Sequence, residues 1–466
     1  MKFILSLVLS LCIVIQLKAV TRVTCIGASI TYGATLKDPA TQSYPAQLQK
    51  LLGNNYVVNN YVVNNFGVCS ATMLRKGDLS YWNTQAYQLA LQSKPDVVFI
   101  DLGGNDSKLI NRVHLNEYEQ DYHDMIRSFA QLPSHPRIVL LLPIPAFLTD
   151  TSQIYDKVIV NDIIRSIRRV AYDERLEVID MHSMFVNHES WMPDKIHPDL
   201  QGTTMTAKRL YDVIIQPKDI SFDIFSKIKQ PYKVSFFYGY PCAEFTIDGR
   251  DCKVAKPKWT AVGHPWVWRA RFWGHEPQAD IALLERGFHI VYCDVAELLG
   301  NNEAINHWNN FYKMLNNAGL GKKAVLEGMS RGGIYIYNWA AANPDKVACV
   351  YADNVLLDLR FWPDTAILKQ DYHLTYARQI GALKASPIDK IPQIVKGGYP
   401  MLHISADEDE ALDPSKNTLL FEQEVKALNG SITVIHKPGF KHHPHSLPNP
   451  APIVEFILNA TGYQIP

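Results

Sequence analysis

Residues 22–33 read Arg-Val-Thr-Cys-Ile-Gly-Ala-Ser-Ile-Thr-Tyr-Gly. A short apolar run ends in a glycine, and a serine lies two residues beyond it. The pattern predicts a strand over 22–27 with Ser29 at the start of a helix. Open α/β sheets bind ligands at such strand ends. Helix N-terminal N–H groups also favour negative charge there. Taken alone, a serine in this place reads most simply as a helix N-cap.

Further runs of the same kind lie downstream: DVVFIDLG (96–103), RIVLLLP (137–143) and LEVID (176–180). Helical periodicity fills the stretches 118–132 and 158–173. Strands that are almost continuously Val, Ile and Leu, alternating with helices, predict a parallel sheet covered on both faces. The pattern breaks over PKDISFDIFSKIKQP (217–231), which predicts a linker at 216–230. Beyond it, FTIDG (245–249) carries an Asp-Gly turn, and KVAKP comes next, as in a hairpin. GFHIVYCDV (287–295), KKAVLEGMS (322–330), KVACVYAD (346–353), YPMLHISAD (399–407) and SITVIHKPG (431–439) then repeat the strand pattern. The fold class expected is α/β, as two doubly wound domains over 20–215 and 231–466.

The 466 residues allow two or three domains. Hydrophobic residues make up 47% and charged residues 20%, which argues against a disordered chain. Lys+Arg and Asp+Glu are 46 each, so no basic excess supports a nucleic-acid partner. Lys2 precedes an apolar run over 3–15, the size of a signal-peptide core and short for a bilayer span. Residues 1–19 are therefore expected to be a cleaved signal. The mature chain would be secreted or periplasmic, without stable membrane insertion, at a net charge of about −2 once Lys2 and Lys18 are gone. Leu11 before Cys12 is too large for a lipoprotein signal. Six cysteines remain: Cys25, Cys69, Cys242, Cys252, Cys293 and Cys349. Export permits disulfides, and Cys242 and Cys252 are close enough to close a small loop; buried free thiols are the plainer reading. YVVNN occurs at 56–60 and again at 61–65. Five extra residues in a strand would flip its faces, so a bulge or a longer preceding loop must absorb the copy.

Ser29 is joined by Asn-Phe-Gly (65–67), by DLGGND (101–106) and by Asp194-Lys195-Ile196-His197-Pro198. This ordered set resembles the SGNH hydrolases, the GDSL-like esterase and lipase superfamily, over about 20–215. Gly27-Ala28-Ser29 stands where the family has Gly-Asp-Ser. The resemblance implies an SGNH, flavodoxin-like three-layer sandwich. It implies Ser29 as nucleophile, His197 as general base and acid, and Asp194 as the group orienting the imidazole. The oxyanion would be held by the Ser29 and Gly67 N–H groups and the Asn105 amide, one such donor being worth about 3 kcal/mol of barrier. The YVVNN copy just before Gly67 is the threat to that arrangement.

The second half has its own constellation. Gly328-Met329-Ser330-Arg331-Gly332 comes directly after the strand AVLEG, a G-x-S-x-G nucleophile elbow. An acid and then a histidine should come later in the chain. HISADEDEALDP (403–414) offers Asp407, Asp409 and Asp413, and HKPGFKHHPHSL (436–447) offers His442, His443 and His445. Metal binding or a surface turn is the other reading of HHPH. The region 231–466 resembles the α/β-hydrolase superfamily, nearest its prolyl-oligopeptidase-like esterases. That resemblance implies Asp409 and His442, with Asp407 and His443 as alternates. One oxyanion donor would be the Arg331 N–H. The family's His-Gly-Gly is replaced by His264-Pro265-Trp266, so the second donor is assigned to Trp266. Trp259, Trp266, Trp268, Phe272 and Trp273 offer aromatic faces to a sugar, or simply core packing.

Two Ser-His-Asp sets imply a secreted bifunctional serine esterase that removes O-acetyl and other acyl groups from a polysaccharide or oligosaccharide. No cofactor is needed and no metal ligand is assigned. A lipase or lysophospholipase is one alternative. A single-site acetylesterase with a sugar-binding second domain is the other.

Overall fold

The computed structural model describes residues 20–53 and 60–463. The expected signal segment and all but the last residue of the first YVVNN copy lie outside the described residues. The first half builds a five-stranded parallel sheet from β1 (Thr21–Gly27), β2 (Tyr61–Gly67), β3 (Val97–Asp101), β4 (Arg137–Leu141) and β5 (Glu177–Ile179). Its order is β2-β1-β3-β4-β5, the flavodoxin-like arrangement. The order reverses between β1 and β3, and the crevice above that point is where such sheets take ligands. Val23 and Cys25 pack to one face of β1 and Ile26 to the other, so helices cover both sides. The second YVVNN copy is β2 itself. It pairs with β1 without a break from Thr21↔Tyr61 to Gly27↔Gly67, so the copy produces no bulge within the paired strands.

The predicted linker is tied down. It contributes β6 (Lys218–Asp219), which pairs with β10 (Thr260–Ala261), and Ile224 and Phe225 are buried in the second core. The second half builds a nine-stranded sheet. β7 (Lys233–Phe237), β8 (Tyr240–Ile247) and β9 (Arg250–Ala255) form an antiparallel flank. β8 and β9 are the hairpin expected at Asp248-Gly249, both with positive φ. The parallel part comprises β11 (Trp266–Ala270), β12 (His289–Cys293), β13 (Ala324–Met329), β14 (Val347–Asp353), β15 (Met401–Ala406) and β16 (Ile432–Lys437). The order is β16-β15-β14-β13-β11-β12-β9-β8-β7. A serine after β13, an acid after β15 and a histidine after β16 make this an α/β-hydrolase sheet.

The six described cysteines are free. Cys252 lies opposite Cys293 across β9 and β12, so the Cys242–Cys252 loop is not formed. The halves share one apolar core in which Val170 and Ala171 join Tyr240 and Phe288. A buried ion cluster crosses the same boundary: Arg209 pairs with Asp212 at 2.6 Å and with Glu285 at 3.1 Å. Among the described residues no helix is long and apolar enough to cross a membrane.

Candidate active sites

The helix Ser29–Tyr32 starts immediately beyond β1. Ala28, not Ser29, is its N-cap residue, and no side chain caps it. The Ser29 hydroxyl is turned to the imidazole: Ser29 Oγ and His197 Nε2 are 2.8 Å apart. His197 Nδ1 lies 2.6 Å from Asp194 Oδ2. The other oxygen, Asp194 Oδ1, accepts the N–H groups of Ile196 (3.1 Å) and His197 (2.7 Å). Partial burial opposes ionisation of Asp194, but these hydrogen bonds outweigh it and hold the carboxyl below its usual range. The loop after β5 thus reaches back over β1 to face the serine.

Asn105 lies just past β3, on the other side of the switch point. Its Nδ2 donates to Ala71 O at 3.1 Å, and its own carbonyl accepts from Asn111 Nδ2 at 2.9 Å. Asp106 fastens this corner. Its carboxylate accepts the N–H groups of Met73 (3.0 Å) and Leu74 (2.8 Å). Ser29, Asn105, Pro143, Ile144 and Ile196 line one small cavity. Gly67 requires a correction. Its N–H donates to Asn65 Oδ1 at 2.9 Å, so it is engaged within its own turn. A close approach demands glycine there: a Cβ at 67 would sit 2.1 Å from Tyr32 N.

Ser330 occupies the turn between β13 and the helix Gly332–Ala342 with φ +51°, a conformation costly for a serine. Gly332 lets that turn press on β11, since a Cβ there would meet Ala270 O at 2.8 Å. Ser330 Oγ is 3.0 Å from His442 Nε2, and His442 Nδ1 is 2.7 Å from Asp409 Oδ2. Asp409 is buried, and its second oxygen accepts the N–H groups of Ala411 and Leu412 at 2.9 and 2.8 Å. The alternates fall elsewhere. Asp407 pairs with His436 at the surface, and Asp413 accepts from Ser415 N–H. His443 and His445 face His275.

Trp266 is not the second oxyanion donor. It is the first residue of β11, wholly buried, and its indole donates to Gly321 O. Ser330 lies past the opposite, C-terminal end of the neighbouring strand. Trp266 and Trp268 are core, Trp268 stacking on Trp308 at 4.2 Å. The loop beside the serine turn is the one after Ala270. Arg271 and Phe272 there have φ +65° and +49°. Arg331 lies between the rings of Phe272 and Trp362, at 5.9 and 5.3 Å. The Trp362 indole N–H is buried without a partner among the described residues.

Two supports carry no sequence signal. Arg269, buried in β11, pairs with Asp280 and, at 2.9 Å, with Glu327. It also donates to the carbonyls of Phe272 and His275, fixing that loop. Asn354 donates to His442 O at 3.0 Å and accepts the Ala406 N–H at 2.7 Å, bridging the histidine loop to β15. Neither sits in a motif; only their burial marks them.

Residues 25–204 match the family model described as GDSL-like Lipase/Acylhydrolase. The chain is similar to an acetylxylan esterase of Xylanibacter ruminicola, 40% identical over 211 residues, 41% of this chain and 42% of the relative. It thus spans less than half the length of that curated relative. Solved structures similar to it include an acylaminoacyl peptidase of Pyrococcus horikoshii (17% identity, 47% of this chain and 38% of that one, TM-score 0.35). Another is dipeptidyl peptidase 4 of Porphyromonas gingivalis (12% identity, 49% and 35%, TM-score 0.38).

Proposed function

We propose, from the match of residues 25–204 to the GDSL-like lipase/acylhydrolase family model, a two-site serine esterase that removes O-acetyl groups from an acylated polysaccharide or oligosaccharide. The observation that carries the reading is the continuous Ser–His–Asp line of hydrogen bonds, present once in each half. The likeness of the first half to an acetylxylan esterase favours acetyl esters as its substrate. The small cavity beside Ser29 suits a two-carbon acyl group.

At the first site, His197 Nε2 takes the Ser29 proton as Oγ attacks the acetyl carbonyl. Asp194 holds the ring and stabilises its charge. The Ser29 N–H and the Asn105 amide receive the oxyanion. His197 then protonates the leaving sugar hydroxyl, and water repeats the cycle on the acetyl-enzyme. At the second site Ser330, His442 and Asp409 take the same parts. The Arg331 N–H and the Arg271–Phe272 loop hold the oxyanion in place of Trp266. Phe272 and Trp362 give this site an aromatic wall, and the unpartnered Trp362 N–H a donor for a bulkier acyl or uronyl ester. A polymeric substrate lies outside the cell, which fits the reading of residues 1–19 as an export signal.

Acetate release from acetylated xylan by wild type, Ser29→Ala and Ser330→Ala tests the assignment. Ser29→Ala is expected to abolish it. Ser330→Ala is expected to spare it and to remove release from a second acetylated, feruloylated or methyl-esterified substrate. Unchanged release by Ser29→Ala would refute the first site.

A further inference from the structure

Of the three histidines in KHHPHS (441–446), His442 alone turns to Ser330. The other two meet a third from a distant loop. One ring nitrogen from each of His275, His443 and His445 lies within 4.8 Å of the other two. Ring centroids are 4.9 Å apart for His443–His445, 5.8 Å for His275–His443 and 5.9 Å for His275–His445. The planes are 78–88° apart in all three pairs. The rings meet edge to face and do not stack.

The protein orients one of the rings and anchors the backbone of a second. His445 is buried, and its Nδ1 lies 3.0 Å from Asp353 Oδ1. Asp353 Oδ2 accepts the Ser446 N–H at 2.7 Å and the Tyr351 hydroxyl at 3.0 Å. A carboxylate acceptor keeps the proton on Nδ1 and leaves the lone pair on Nε2 toward the other rings. That carboxylate–histidine pairing is how proteins present imidazole to a metal. Arg269 grips the His275 carbonyl and so fixes the second loop. His442 is no part of the set, because Asp409 and Ser330 occupy both of its nitrogens.

We propose that His275, His443 and His445 form a binding site for a late first-row divalent cation, zinc foremost. Three imidazoles suit that class, and the absence of oxygen ligands from the set argues against calcium or magnesium. Three protein ligands leave a fourth position for water. The bound ion would staple the loop carrying His442 to the loop beside the Ser330 turn. It does not depend on Ser330 acting as a nucleophile.

The test uses the full chain, stripped with chelator and titrated with zinc chloride by calorimetry. One equivalent is expected to bind wild type, and equally Ser330→Ala and His442→Ala. His275→Ala and His443→Ala, both exposed positions, should each weaken binding tenfold or more, and the double variant should lose it. Asp353→Asn should weaken it about 10–100-fold. Cobalt binding, read from its visible absorption, should show the same order. Absence of stoichiometric zinc in wild type overturns the site. So does undiminished binding by the double variant, which would mark the ion as adventitious. Loss of binding in His442→Ala alone would place the ion on the triad instead and overturn it too.

Discussion

Asp194 divides its two oxygens between the His197 ring and two backbone N–H groups, so the imidazole is held in one tautomer. Asp194→Asn keeps the shape and loses that selection. Turnover at the first site should fall on the order of 10⁴-fold with little change in KM, as measured on acetylated xylan. A second carboxyl near the serine behaves differently. Burial pushes Asp101 up to about 6, against hydrogen bonds from Thr31 and Tyr44. The folded chain therefore keeps a proton that the unfolded chain has given up. The stability from that protonated form is full below about pH 4 and is lost as pH rises through about 6. Asp101→Asn should gain on wild type across that window by up to about 3 kcal/mol, read as paired denaturant titrations at pH 4 and 7. Ser29, Asn105 and Ser330 are legible in the sequence because each sits in a spaced glycine pattern at a strand end. Asp407, Asp409 and Asp413 are not separable by spacing, since all three fall in one acidic turn. Contact separates them: Asp409 lies buried against His442, whereas Asp407 meets His436.

At the scale of single elements, β11 shows why the second oxyanion loop is hard to place from sequence. Reading His264-Pro265-Trp266 in place of the family's His-Gly-Gly puts the expected donor at Trp266. The strand begins there instead and runs to Ala270, every residue buried, with Arg269 inside it. A buried arginine spoils the apolar pattern that marks a strand, and only its partners Asp280 and Glu327 make the burial tolerable. Arg269→Met should leave both carboxylates without a counter-charge and cost about 3–5 kcal/mol in urea unfolding. Activity at Ser330 should fall with it, as the loop at Phe272–His275 loses its anchor. The linker misleads for a related reason. Its charged residues hide Ile224 and Phe225, which dock it into the second core.

At the scale of the whole molecule, strand patterning makes two α/β sheets legible, but not that they share a core. The residues that join them are isolated along the chain. Arg209, Asp212 and Glu285 show no motif, and only folding brings them to one buried point. Arg209→Ala should strip Glu285 of its 3.1 Å partner and leave Asp212 only Arg286 at 3.8 Å, destabilising the molecule by about 3–5 kcal/mol, with wild type unfolding in one calorimetric transition across both halves. The proposed two-site esterase requires two activated serines in one chain. The most direct measurement is labelling with a fluorophosphonate, read by intact mass and peptide mapping. Two adducts per chain are expected, on Ser29 and Ser330, each lost in its own alanine variant and each slowed when His197 or His442 is replaced. A chain that takes one adduct or none, or labels elsewhere, would contradict it.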